Sequence, residues 1–219
     1  METIIEACKD LDMSWLPKTI GPFRLVIDQC VDKEENLYRM FHYENDLDWR
    51  WEANYDAEVE DYTVRVMMPL FEYAEISFIR DNIEQYWANM KERCEREVYK
   101  LLVDPAQNFD LAYRNTGMLE WNFDEVLPEK IGDFVRDIDP HHGIRMINGS
   151  YIITEYRIMG DRSGLIIFYN VLRDEFFAEL RLHKYPEIDH HLDAKSVEAL
   201  EEVLRQELHP VLDELASRL

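Results

Sequence analysis

Glycine is scarce in this chain, seven residues in 219, and the placement of those seven excludes the commonest nucleotide sites. Nowhere do they form Gly-x-x-x-x-Gly-Lys or Gly-x-Gly-x-x-Gly, the loops that let a backbone close on phosphate. Gly160-Asp-Arg-Ser163-Gly164 is not a nucleophile elbow, because its serine is displaced from the Gly-x-Ser-x-Gly spacing. Cysteine is nearly absent as well. Cys8, Cys30 and Cys94 are odd in number, widely spaced and without a Cys-x-x-Cys, which argues against a disulfide framework and for a reducing compartment. No apolar run approaches the roughly 18 residues of a membrane span. The acidic start, Met-Glu-Thr-Ile-Ile-Glu, lacks the basic-then-apolar pattern of a secretion signal. A cytoplasmic location is expected.

The largest deficit is of positive charge. Lys and Arg number 24 against 46 Asp and Glu, a formal net charge of −22. With 47% apolar and 12% aromatic residues the chain still has the material of a core, so this is not the composition of a disordered acidic tail. Such a surface repels nucleic acid and anionic membrane and attracts cationic partners. Solubility and salt adaptation are alternative origins of the same acidity. The excess is densest between Glu44 and Asp61, where eight acids (Glu44, Asp46, Asp48, Glu52, Asp56, Glu58, Glu60, Asp61) meet one base, Arg50. Trp49, Trp51 and Tyr55 stand among them.

Hydrophobic periodicity predicts an α+β fold. The first 20 residues read as a short helix or arm ending at Pro17 and Gly21. Meander strands follow over about 22–68, with period-two alternation in Tyr62 to Met67 and Pro69 ending the last of them. Ile83, Trp87, Met90, Cys94, Val98 and Leu101 form one apolar stripe of a helix over about 81–103, with Asp81 and Glu84 at capping-box spacing. Residues 105–140 look irregular apart from a short helix near Asp124 to Arg136. Strands resume over about 144–183, Asn148-Gly149 suiting a type I′ turn. A final helix over about 194–217 is capped by Asp193, kinked at Pro210 and apolar at Val197, Leu200, Leu204, Leu208, Val211 and Leu215. The expected assembly is a single domain, 1–219, in which one mainly antiparallel sheet is packed by two long amphipathic helices. Division into two strand–helix halves, about 1–104 and 105–219, is the alternative. No internal repeat shows by period.

Catalytic templates find little purchase. His141 and His142 lie in Asp-Ile-Asp-Pro-His-His-Gly, and His190 and His191 in Glu-Ile-Asp-His-His-Leu-Asp. If these loops met, Asp139, His141, Asp189 and His190 could ligate zinc, manganese or iron, although adjacent residues project in different directions. Asp189-His190-His191 resembles the triplet that names the Asp-His-His phosphoesterases, but only over those three residues. The earlier acidic motifs of that family are missing, since Asp10 and Asp12 follow no strand. Asp137 and Asp139 begin like a calcium loop, yet Gly143 falls one position late. Cys94 sits on the apolar stripe and reads as core.

The leading expectation is therefore a non-enzymatic acidic binding protein, of the kind in which an immunity-type inhibitor masks a basic partner such as a nuclease toxin. Its partner-binding residues would be Glu44, Asp46, Asp48, Trp49, Trp51, Glu52, Tyr55, Asp56 and Glu58, with no cofactor, nucleic acid or membrane involved. That reading requires at least one tryptophan to face solvent. A metal-dependent hydrolase using the two His-His segments and an oligomeric structural protein are the alternatives.

Overall fold

A computed structural model describes Glu2–Leu219; Met1, which opens the N-terminal segment, lies outside the described residues. The chain forms two compact units, Met1–Val103 and Asp104–Leu219. The first contains helix α1 (Glu2–Lys9), strands β1 (Thr19–Ile20), β2 (Phe23–Val26), β3 (Cys30–Asp32), β4 (Leu37–Glu44), β5 (Arg50–Asp56), β6 (Asp61–Met67) and β7 (Glu72–Ala74), then helix α2 (Ile83–Val98). The second contains α3 (Leu111–Arg114), β8 (Lys130–Ile131), β9 (Phe134–Ile138), β10 (Ile144–Arg145), β11 (Tyr151–Ile158), β12 (Gly164–Asn170), β13 (Glu175–Leu182), β14 (Tyr185–Ala194) and α4 (Val197–Ser217). The fold is α+β, as expected. The strands form two seven-stranded antiparallel sheets, however, and not one.

The two sheets share a single topology. The first runs β1-β2-β4-β5-β6-β7 with β3 on β4, and the second β8-β9-β11-β12-β13-β14, reversed, with β10 on β11. Register repeats as well: Trp51 pairs with Val66 and Leu165 with Leu180, each partner 114 positions from its counterpart. Both β4 and β11 are interrupted by a bulge one residue long, between Arg39 and Phe41 and between Ile152 and Thr154. Leu16-Pro-Lys-Thr-Ile-Gly-Pro-Phe23 and Leu127-Pro-Glu-Lys-Ile-Gly-Asp-Phe134 make matching two-residue hairpins, each turning on a left-handed glycine, Gly21 and Gly132. Tyr43 Oη donates to Pro17 O at 2.9 Å, and Tyr156 Oη to Pro128 O at 2.7 Å. The tips of β5–β6 and β12–β13 match too. Asp56 and Asn170 accept from the amide two residues on, while Glu60 and Asp174 adopt positive φ of 61° and 51°.

Each sheet buries one face beneath the helix that follows it. In the first unit Tyr86, Trp87, Met90, Cys94 and Val98 face the sheet, and Trp51 meets Phe78 edge-on at 5.4 Å. In the second, Leu200, Leu204, Leu208 and Leu212 occupy the positions equivalent to Tyr86, Met90, Cys94 and Val98, packed with Ile153, Leu165 and Ile167. Full burial of each such side chain contributes about 1.5–3 kcal/mol.

Several local expectations change. Only α4 is long, 21 residues, whereas α2 stops after 16 and passes into a π turn at Tyr99–Val103. Its cap is Asn82, whose side chain accepts from Gln85 N, in place of Asp81; α4 is capped by Ser196 in place of Asp193. Pro210 lies inside an uninterrupted α4. The helix expected near Asp124 to Arg136 is instead the β8–β9 hairpin preceded by one 3-10 turn. Gly149 alone takes positive φ in its turn, so Asn148-Gly149 does not form a type I′ pair. The segment of His190 and His191, expected to be a loop, lies in the edge strand β14.

The paired tyrosine bonds predict matched effects. Tyr43→Phe and Tyr156→Phe should each lower the unfolding free energy by about 1 kcal/mol, the net worth of one such bond. Urea denaturation of the two variants checks this, and wild-type stability in either would show the bond to be dispensable.

Candidate functional site

The acidic segment of the first unit does not form one exposed pad. Trp51 is completely buried and Trp49 is 7% exposed. Alternation along β5 is the cause: Trp51, Ala53 and Tyr55 point into the core, and Tyr55 lies 5.0 Å from Tyr62, ring to ring. Glu52 projects the other way and is buried too, with Arg39 at 3.3 Å and Arg50 at 3.6 Å. Glu44 is held by Arg24 at 2.8 Å and Arg50 at 3.6 Å, and Asp46 by Arg24 at 2.9 Å. Of the nine residues expected to bind a partner, Asp46, Asp48 and Glu58 are exposed, and Glu44 and Asp56 are half-buried. β5 also carries the two acidic turns to opposite ends of a seven-residue strand, about 20 Å apart. The solvent-facing tryptophan that the reading required is absent from the segment.

Sheet pairing gathers a different set. In a meander, alternate turns fall at the same end, so the β3–β4 turn comes beside the β5–β6 turn, and Ala57 N donates to Asn36 O at 3.1 Å. Asp32, Glu34, Glu35, Asp56, Glu58, Glu60 and Asp61 are thereby brought to one edge with Lys33 and Arg65 as the only bases in those turns or bonded to them. Asp32 Oδ1 accepts from Glu34 N at 2.9 Å and Glu35 N at 3.1 Å, Arg65 bonds Glu35, and Val59 stands 61% exposed between the carboxylates. Contiguity in sequence hid this grouping, because Asp32 to Glu35 lie outside the acidic run. The equivalent turns of the second unit, Met146–Ser150 and Asn170–Glu175, hold only Asp174 and Glu175 as acids and expose Ile147 and Leu172.

The face of the first sheet opposite α2 is polar. Arg39 bonds Asp28 and lies 3.1 Å from Cys30 Sγ. His42 Nε2 is 3.3 Å from Glu44 and its Nδ1 3.7 Å from Asp28. Burial would raise the Asp28 carboxyl, but the bond and charge of Arg39, with help from His42, hold it below its ordinary value of 3.8. Burial likewise opposes ionisation of Glu44, and His42 and Arg24 outweigh it to lower that group as well.

In the two His-His segments the paired carboxylates are local, and His141 Nε2 is buried without a hydrogen-bond partner. Asp139 caps the turn Pro140–His142, accepting from His141 N at 2.9 Å, and meets His142 Nδ1 at 3.0 Å. His190 and His191 lie in β14 and pair with Asp193 at 2.8 Å and Asp189 at 3.2 Å. Among the described residues no group of three or more His, Cys, Asp or Glu is placed to hold a metal ion, so Asp139, His141, Asp189 and His190 are not brought together. All three cysteines are free thiols; burial pushes Cys8 up to about 11 and Cys94 higher, and it also raises half-buried Cys30. No helix among the described residues is long and apolar enough to cross a membrane. No family model, no curated protein and no solved structure matches the chain.

Two measurements follow from these environments. In the native protein at neutral pH a thiol reagent should modify Cys30 alone, and slowly, with Cys8 and Cys94 reacting only after denaturation; labelled peptides identify the site. Because the folded Asp28 carboxyl titrates below its unfolded value, its stabilisation is complete above about pH 4 and is lost as pH falls through the folded value. Asp28→Asn should therefore flatten the decline of stability below that pH, and an unchanged acid limb would contradict the assignment.

Proposed function

We propose that this chain is a non-enzymatic binding protein that captures a basic protein partner, in the manner of an immunity-type inhibitor, through the acidic sheet edge of its first unit. One observation carries the reading: seven carboxylates from two turns share that edge, while the equivalent turns of the second unit, built on the same topology, carry two. The concentration is local. Each unit holds 23 acidic and 12 basic side chains, so the first is no more acidic as a whole than the second. The scaffold does not demand the acids, since the second unit closes the same turn with Leu172 where the first has Glu58. Exposed Val59 supplies an apolar contact among them. A cytoplasmic location accords with three unpaired thiols.

An edge of this charge accelerates encounter with a cationic surface by about 10–10³-fold, and salt weakens it as the Debye length shrinks to roughly 8 Å. The triple variant Glu34→Lys, Glu58→Lys, Glu60→Lys alters only exposed turn residues. It should keep the wild-type circular dichroism and thermal midpoint yet lose the basic protein that the wild type retains from its source lysate at low salt. Association with that protein, once isolated, should slow at least about tenfold. Equal retention by the triple variant would refute the proposal.

A further inference from the structure

We infer that the polar face of the first sheet is a binding site for a primary ammonium group, seated over a floor of His42, Glu52, Asn54 and Thr63. These four are 4%, 4%, 1% and 6% exposed. They form one block across three strands, for Glu52 pairs with His42 and Asn54 with Thr63. Asn54 Oδ1, Thr63 Oγ1 and His42 Nδ1 make no hydrogen bond. Asn54 Oδ1 and Thr63 Oγ1 are thus buried oxygens able to accept from a donor that the fold itself does not bring.

The fold does not require this polarity. The second unit carries Ile166, Phe168 and Phe177 at the positions of Glu52, Asn54 and Thr63. Nor do the neighbouring arginines reverse the sign of the face. Asp28, Glu35, Glu44, Asp46, Glu52 and Asp56 oppose Arg24, Arg39, Arg50 and Arg65, all four of which are engaged by those carboxylates. A surplus of negative charge above unmet acceptors suits a group with three donors and one positive charge, which is what an ammonium is. Arg39, Arg65 and Asp28 at the rim are about a quarter exposed. None of the floor residues belongs to the acidic edge, so this inference stands apart from the proposed function.

The test is an NMR titration of the whole protein with 1,5-diaminopentane and with Nα-acetyl-lysine amide, a free amine and a lysine side chain. The doubly acetylated lysine amide is the uncharged control. Either amine should shift the Asn54 side-chain amide saturably while the control leaves it in place. Asn54→Leu, which removes an unmet acceptor, should bind at least about tenfold more weakly without a lower thermal midpoint, and Glu52→Gln should also bind more weakly. If Asn54→Leu does not fold, Glu52→Gln, which keeps the shape, decides. Absence of saturable shifts with both amines, equal shifts with the control, or wild-type binding by Glu52→Gln overturns the site. The Glu34, Glu58, Glu60 triple variant should bind the amines normally, which separates this outcome from failure of the partner proposal.

Discussion

An antiparallel sheet with one apolar face cannot stand alone in water, and covering that face with the next helix is the constraint from which the rest of this structure follows. In both units the ladder ends, a short connection follows, and an amphipathic helix turns its stripe back onto the strands. Tyr86, Met90, Cys94 and Val98 do this in one unit, and Leu200, Leu204, Leu208 and Leu212 in the other. The chemistry of the stripe differs between them, aromatic and sulfur-containing against leucine, yet spacing and partner face are the same. Core identity is exchangeable so long as volume and pattern are kept.

Period-two alternation then decides what the other face can be. Residues freed from the core by the pleat are open to selection, and the units have used that freedom differently. Arg39, Glu52, Asn54 and Thr63 in the first correspond to Ile152, Ile166, Phe168 and Phe177 in the second. The same holds at the strand ends, where the acid load sits in the turns of the first unit and exposed aliphatic residues in those of the second. Charge is distributed by the meander, which sorts turns into two opposite edges, and not by distance along the sequence.

Fold class, most strands and both helical stripes were legible in the sequence because they rest on periodicity. The count of sheets was not, because no Gly- or Pro-rich linker marks the passage at Val103 and Asp104. The internal repeat is hidden in the sequence for a related reason. Pairing and burial are preserved while identity survives mainly in Leu16 to Phe23 and Leu127 to Phe134, and the extra turn Pro140–His142 shifts the spacing from 111 to 114 positions. The caps lie one to three residues beyond those the sequence suggests, since Asp81, Asn82, Asp193 and Ser196 are all competent and only the start of the helix chooses. Of the candidate site, the acids were visible but their grouping was not. Trp49 and Trp51 could be assigned to core or surface only once the face of β5 was known.

Every strand ladder closes inside its own unit and, apart from the short β3 and β10 segments, between neighbours in the meander. Contacts of such short sequence separation form early and at low loop-closure cost. Synthesis proceeds from the N-terminus, so the first sheet and α2 can reach their native pairing while the second unit is still being translated. Two nearly identical strand orders on one chain invite cross-pairing between copies; vectorial emergence from the ribosome removes the competitor until the first copy is already sealed.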